Sequence, residues 1–191
     1  MAKWIHRVCQ ACFEAERLPR QWNISKVTPI YKSGNKSDCP NYRTILSQCA
    51  AAKIFSTIIL ARMYPDIDRT IDNSQVAFRR GRSGLEVIHA TQLLIDKCNA
   101  FELPLTLTST DFRKAFDKTS RNHVYESLRL ARVHPKYIRI VRNCYESAKA
   151  MIRLHRKERT IDLKSRLRQG DCWSPLLFIC GLDRVLSQRI R

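Results

Sequence analysis

The sequence predicts an α+β fold in which helices dominate and a small antiparallel sheet is set among them. Three observations predict it. Apolar residues recur at helical spacing across residues 51–64, where Ile54, Phe55, Ile58, Ile59 and Met63 share a face. The period changes to two at Leu103-Pro-Leu-Thr-Leu-Thr-Ser109, leucines alternating with polar partners as in a strand buried on one side. Finally, residues 151–155 and 161–165 are short β-type runs around a charged turn, which reads as a hairpin.

The remaining elements follow in order. Residues 3–17 form an opening helix through Trp4, Ile5, Val8, Cys9, Cys12 and Phe13, ending near Leu18 because proline at 19 disfavours helix before it. Residues 27–31 are a short strand, and 32–40 a basic loop rich in turn residues. The 51–64 helix is closed by Pro65. A polar connection leads to a helix over 84–98, with Leu85, Ile88, Leu94 and Ile95 as its apolar positions. Residues 122–133 and 135–148 are two further helices. The second begins on a first-turn proline and carries Ile138, Val141 and Tyr145 on one side. Ser174 and Pro175 are an N-cap and N1 pair for a last helix over 176–189. No repeat, low-complexity tract or interdomain linker interrupts the chain.

At 191 residues the chain is long enough to bury a substantial core, and 44% hydrophobic with 27% charged residues is a globular balance. The sign of the charge is unusual: 35 Lys+Arg against 17 Asp+Glu give a formal +18. Such an excess favours a polyanionic partner through counterion release. The basic residues are spread through the fold rather than gathered in a tail. No apolar signal region opens the chain and no stretch approaches membrane-spanning length. The expectation is an intracellular protein, nuclear or cytoplasmic, without a membrane partner; its oligomeric state is left open. Eight dispersed cysteines are expected to be reduced and mostly buried. Cys9-Gln-Ala-Cys12, with His6 nearby, has zinc-like spacing but no second close pair, so core packing is the better reading.

Two segments carry chemistry. Ser109-Thr-Asp-Phe-Arg-Lys-Ala-Phe-Asp117 puts a carboxylate at the end of the alternating run, where it either holds a divalent ion against a phosphate or caps the following helix. Arg168-Gln-Gly-Asp-Cys-Trp-Ser-Pro175 puts a glycine turn, able to approach a ligand closely, just before the last helix. Three upstream motifs join them: Leu18-Pro-Arg-Gln-Trp22 with Val27-Thr-Pro-Ile-Tyr-Lys32, then Asn41-Tyr-Arg-Thr-Ile45, then Ser74-Gln-Val-Ala-Phe-Arg-Arg-Gly-Arg-Ser83. In this order the five motifs resemble the fingers and palm of reverse transcriptases of the non-LTR (LINE-like) retrotransposon group, from about residue 18 to the C-terminus.

The resemblance implies the fold of right-hand polymerase fingers with a partial palm, residues 1–102 being fingers with an N-terminal helix and 103–191 partial palm and fingers return. It implies RNA-directed DNA polymerase chemistry with two divalent ions, Mg²⁺ or Mn²⁺, on an RNA template and DNA primer with deoxynucleoside triphosphates as substrates. Asp111 matches the metal-binding aspartate, with the Phe112 backbone carbonyl as a second oxygen. Arg43 matches an arginine that grips the triphosphate, and Lys32 is a candidate for the same task or for the template backbone. Phe116 matches a steric gate against the 2′-hydroxyl, although spacing alone favours an ordinary core ring. Gln169 and Gly170 match residues against the nascent pair and incoming sugar. Phe78, Arg79 and Arg82 are expected to face the template.

The chain departs from that family at several points. It contains no Asp-Asp pair, which the family carries on a palm hairpin after the second motif, and the family's thumb is expected to be missing with it. Asp66-Ile-Asp68 lies in a polar connection and reads as surface. The expectation is a polymerase fragment that does not polymerise alone. The alternatives are a non-catalytic basic RNA- or DNA-binding module and a degenerate retrotransposon relic. Thr44, Ala77, Arg166 and Cys172-Trp173 replace the family's Pro, Gly, Gly and Pro-Leu.

Overall fold

The computed structural model describes residues 2–113, 115–154, 157–163, 167–168 and 170–189. Its α-helices are α1 (Ala2–Glu14), α2 (Ala50–Asp68), α3 (Gly84–Ala100), α4 (Ala115–Lys118), α5 (Arg121–Leu130), α6 (Pro135–Glu146) and α7 (Ser174–Arg189), with short 3₁₀ turns at Arg20–Asn23 and Cys39–Asn41. Its strands are β1 (Ile24–Tyr31), β2 (Tyr42–Ser47), β3 (Lys149–Leu154) and β4 (Lys157–Asp162), in the spatial order β2-β1-β3-β4. The α+β expectation holds, but the sheet is mixed. Antiparallel pairs run from Lys26↔Ser47 to Tyr31↔Tyr42 and from Lys149↔Asp162 to Leu154↔Lys157, and a parallel pairing, Ile24↔Lys149 to Lys26↔Met151, joins them. The predicted hairpin is present as β3 and β4; His155 and residues 164–165 of the predicted runs lie outside the described residues.

The core is a helical cluster. Phe55, Ile59, Met63 and Ile67 form a four-residue-spaced stripe along α2, each at most 1% exposed. They pack in one cluster with Val124 and Leu128 of α5, Ile140, Val141 and Cys144 of α6, and Leu177 of α7. Ile54 and Ile58, expected to face inward, are exposed: α2 is covered on one narrow side, and they flank it. Nor does Pro65 end the helix. Buried Ile67 and the Tyr64 hydroxyl, which donates to the Asp68 carboxylate at 3.1 Å, hold the last turn to Asp68.

α1 docks through Cys9 and Cys12, whose thiols burial pushes up. Its exit is fixed at Glu16, which takes two bonds from the Arg139 guanidinium at 2.6 Å and, on its carbonyl, one from Asn143 at 2.8 Å. Burial also drives the Cys144 and Cys180 thiols up to about 12, so both remain protonated and unreactive at neutral pH. Cys39 and Cys49 are exposed, so burial of the cysteines is less general than expected.

Tyr145 is the hub between α6 and α7. Its ring has the Arg121 guanidinium 5.0 Å and the Arg168 guanidinium 5.3 Å from its centroid, and its hydroxyl shares a 2.7 Å hydrogen bond with Ser174. α7 starts at Ser174, and Leu177 N–H donates to the Trp173 carbonyl at 3.0 Å, so the N-cap position falls on Trp173 and not on Ser174 as expected. Arg121 also donates to the carbonyls of Tyr145 and Leu163, tying the end of the β3–β4 hairpin to α6.

One predicted element is absent. Residues 103–109 are irregular and Leu103, Leu105 and Leu107 are exposed. An alternating run becomes a strand only where a neighbour takes its backbone groups and covers one face. Among the described residues no strand pairs with it, and only Leu103 N–H, donating to the Cys98 carbonyl at 2.8 Å, is tied back to the preceding helix. α3 forms where expected, with Ser83 N–H donating to the Glu86 carboxylate at 2.7 Å as in a capping box. Yet it buries no side chain, and Leu85, Ile88 and Leu94 are exposed. No helix among the described residues is long and apolar enough to cross a membrane.

Trp173, one of the departures from the family motif, is fully buried in the cluster with its ring 6.4 Å from that of Tyr145. Trp173→Ala is expected to lower stability by about 3–5 kcal/mol in urea unfolding, the range for emptying a large aromatic site.

Candidate functional site

The site is built on the turn between β4 and α7. Arg168 Nε donates to Asp171 Oδ2 at 2.7 Å, and the two side chains are 1% and 0% exposed. Burial pushes the Asp171 carboxyl up, and the Arg168 charge and hydrogen bond oppose it. A pair so deeply buried adds little net stability, but removing either partner strands the other charge at a cost of about 3–5 kcal/mol. The pair clamps the two ends of the turn and leaves Gly170 at its outer edge.

Gly170 has φ +120°, and a Cβ built there would lie 2.4 Å from the Leu46 carbonyl oxygen of β2. The sequence assigned its lack of a side chain to contact with a sugar; here that freedom lets the turn lie against the backbone of β2. Gln169 lies outside the described residues. On the other side, Leu167 N–H donates to the Phe116 carbonyl at 3.2 Å. The Phe116 ring is half-buried and stacks on Phe178 of α7, centroids 5.1 Å apart and planes at 29°. The turn therefore joins the segment holding Phe116 to the strand holding Arg43. Arg43 is exposed on β2 in register with Ile30. Lys32 is exposed just past β1, its N–H donating to the Asn41 carbonyl at 2.9 Å and closing the basic loop.

Asp111 and Phe112 are not brought into this assembly by any contact the structure describes. Both are exposed on the irregular 101–113 segment, not at the end of a strand that would fix the carboxylate. Among the described residues no group of three His, Cys, Asp or Glu side chains gathers to hold a metal ion. One exposed carboxylate and a backbone carbonyl do not make a two-ion donor set.

The 69–83 loop corrects another expectation. Arg79 turns inward instead of toward a template. Its Nε donates to Asp68 at 2.7 Å, Nη1 to the carbonyls of Asp72 and Gln75 at 2.8 and 3.0 Å, and Nη2 to the Asp68 carbonyl at 3.2 Å. Four of its five N–H donors are spent holding the loop together. Asp68, read from the sequence as surface, is its partner; no local sequence signal links residues eleven apart across a loop. Arg82 bonds the Asn73 carbonyl and sits 3.2 Å from Glu86. Phe78 is exposed and in the left-handed region at φ +59°, costly for a residue with a side chain. Beside it, Arg80 is exposed with its guanidinium 4.6 Å over the Tyr64 ring, a candidate phosphate contact that sequence reasoning passed over.

The chain matches the family described as reverse transcriptase (RNA-dependent DNA polymerase) over residues 30–191. It is 25% identical over 173 residues to the retrovirus-related Pol polyprotein from type-1 retrotransposable element R2 of Nasonia vitripennis, covering 90% of this chain and 17% of that protein. It is 21% identical over 150 residues to the transposon TX1 149 kDa protein of Xenopus laevis, covering 78% of this chain and 12% of that protein. The chain thus spans under a fifth of the length of either. Its fold resembles that of an apo telomerase from Candida tropicalis truncated from its C-terminal domain. The TM-score is 0.65 at 13% identity, over 91% of this chain and 40% of that one.

Two outcomes are expected. Gly170→Ala should separate the turn from β2, read as faster amide exchange over residues 42–47 and a lower urea midpoint, because neither the left-handed φ nor the 2.4 Å approach admits a methyl group. Separately, hydrogen bonding from Arg79 holds the Asp68 carboxyl below its usual range. The stabilisation is therefore present above the unfolded value, about 4, and is lost as pH falls through the lowered folded value. Exchange over residues 69–82 should accelerate in acid, and Asp68→Asn should remove that pH dependence.

Proposed function

The chain belongs to the reverse transcriptase (RNA-dependent DNA polymerase) family, with retrotransposon proteins among its relatives, and from that premise we propose that it is the fingers and part of the palm of a non-LTR retrotransposon polymerase. Residues 1–102 supply fingers with an N-terminal helix, and 103–191 the partial palm and fingers return. The contact of Gly170 with the Leu46 carbonyl carries this reading, because it joins the second palm motif to the strand of Arg43. Arg43 then grips the triphosphate of an incoming deoxynucleotide with a planar, permanently charged donor. Phe116, propped on Phe178, limits what fits beneath the sugar. Gln169 and Gly170 line the nascent base pair. Lys32, Phe78 and Arg82, with Arg80 added and Arg79 as the loop's brace, lie along the template and primer path.

Members of the family generally use divalent metal ions, which activate the primer hydroxyl and stabilise the departing pyrophosphate when bound. Asp111, with the Phe112 carbonyl, is the proposed contribution of this chain to a Mg²⁺ or Mn²⁺ site. Its exposure, with no carboxylates gathered around it among the described residues, favours a second reading for the isolated chain, a basic RNA- or DNA-binding module without catalysis.

Primer extension separates the two. The chain alone is expected to bind RNA with steep salt dependence yet extend no primer in Mg²⁺. Within a longer polypeptide of the same transposon, the same residues should support extension that Asp111→Ala abolishes. Unchanged extension by that variant would remove Asp111 from the chemistry.

A further inference from the structure

The turn between α5 and α6 holds a groove of about 540 Å³ that shares no residue with the assembly around Gly170. Four arginines line it, Arg129, Arg132, Arg139 and Arg142, over a floor that includes Val133 and Ile138, both buried. Two carboxylates partly offset them: Glu126 lies 3.1 Å from Arg129 and Glu16 lies 2.6 Å from Arg139. Arg142 sits 4.9 Å over the Tyr125 ring. Among the described residues neither Arg132 nor Arg142 forms an ion pair, and with Glu146 one helical turn from Arg142 the four arginines still outnumber the nearby carboxylates, leaving the groove net positive. The dipole of α5 accounts for Arg129 in its last turn. It accounts for neither Arg139 nor Arg142, which lie within α6. Arg132 is held at φ +58°, a conformation in which glycine is the usual choice after a helix.

We propose that this groove binds the sugar–phosphate backbone of single-stranded RNA, a second contact track apart from the nucleotide site. The proposal rests on the nucleic-acid reading above and adds to it a surface which that reading does not require. Guanidinium forks suit phosphate oxygens. The apolar floor suits a ribose or the face of an unpaired base, which a duplex keeps stacked inside. A groove of this volume takes one or two nucleotides, within the common range for small ligand sites of about 300–1,000 Å³.

The test is binding of a fluorescein-labelled single-stranded RNA to the full chain across a salt series. Arg132→Gln with Arg142→Gln should weaken binding roughly tenfold near 0.15 M salt and reduce the log–log salt slope by about 1.4, the release from two phosphates. Replacing both by lysine should restore most of the affinity. Arg132→Gln alone, at an exposed position, should remove about half of the slope change and serves if the double variant unfolds. Inorganic phosphate should compete only weakly. A double variant that folds and keeps the wild-type affinity and slope overturns the groove while leaving the family function intact. Poly-glutamate competing as well as unlabelled RNA overturns the assignment to nucleic acid. A wild-type chain that binds no RNA at any salt overturns both readings.

Discussion

The arrangement of the candidate site depends on one buried turn. Arg168 and Asp171 close it with an ion pair withdrawn from water, and Gly170 at its edge lies on the Leu46 carbonyl. Asp171 resists ionisation through burial, and Arg168 is what makes the charge tolerable. Tyr145 stands beside the pair, under two guanidiniums and bonded to Ser174, so the same network sets where α7 begins. Loosening this turn would free β2, Phe116 and α7 from one another together.

Against that firm centre, one side of the molecule is uncovered. α3 buries no side chain, and the segment that follows it, with Phe101, Leu103, Leu105, Leu107 and Phe112, is exposed throughout. Exposed apolar surface on this scale is unusual for a protein on its own. Asp111 sits in that segment. The part of the chain read as most important for catalysis is thus short of tertiary restraints, whereas Arg43 is held on a sheet.

Helices were legible wherever periodicity and a cap agreed, as in the 135–148 prediction and α6 (Pro135–Glu146). β2 was passed over as an element because its six residues carry few strongly apolar ones, though its motif was recognised. The 103–109 run failed for a different reason. Alternation specifies which face a strand would bury, and not whether a neighbour exists to bury it. Residue types and motif order singled out Arg43, Phe116 and Gly170 as candidates. They did not disclose that Gly170 meets Leu46 or that Arg79 is consumed by Asp68, since both contacts join residues distant in sequence or across a loop. Trp173, a departure from the family pattern, is a fully buried core residue, so substitution at that motif position is compatible with packing.

The candidate site stands on the approach of Gly170 to the backbone of β2. Through-space proton coupling in an isotopically labelled sample measures it directly. Nuclear Overhauser contacts are expected between the Gly170 Hα protons and backbone or β protons of Leu46 and Ser47, persisting up to the cooperative unfolding transition. Their absence in an otherwise folded chain, with the amides of β2 and the turn exchanging independently, would contradict it.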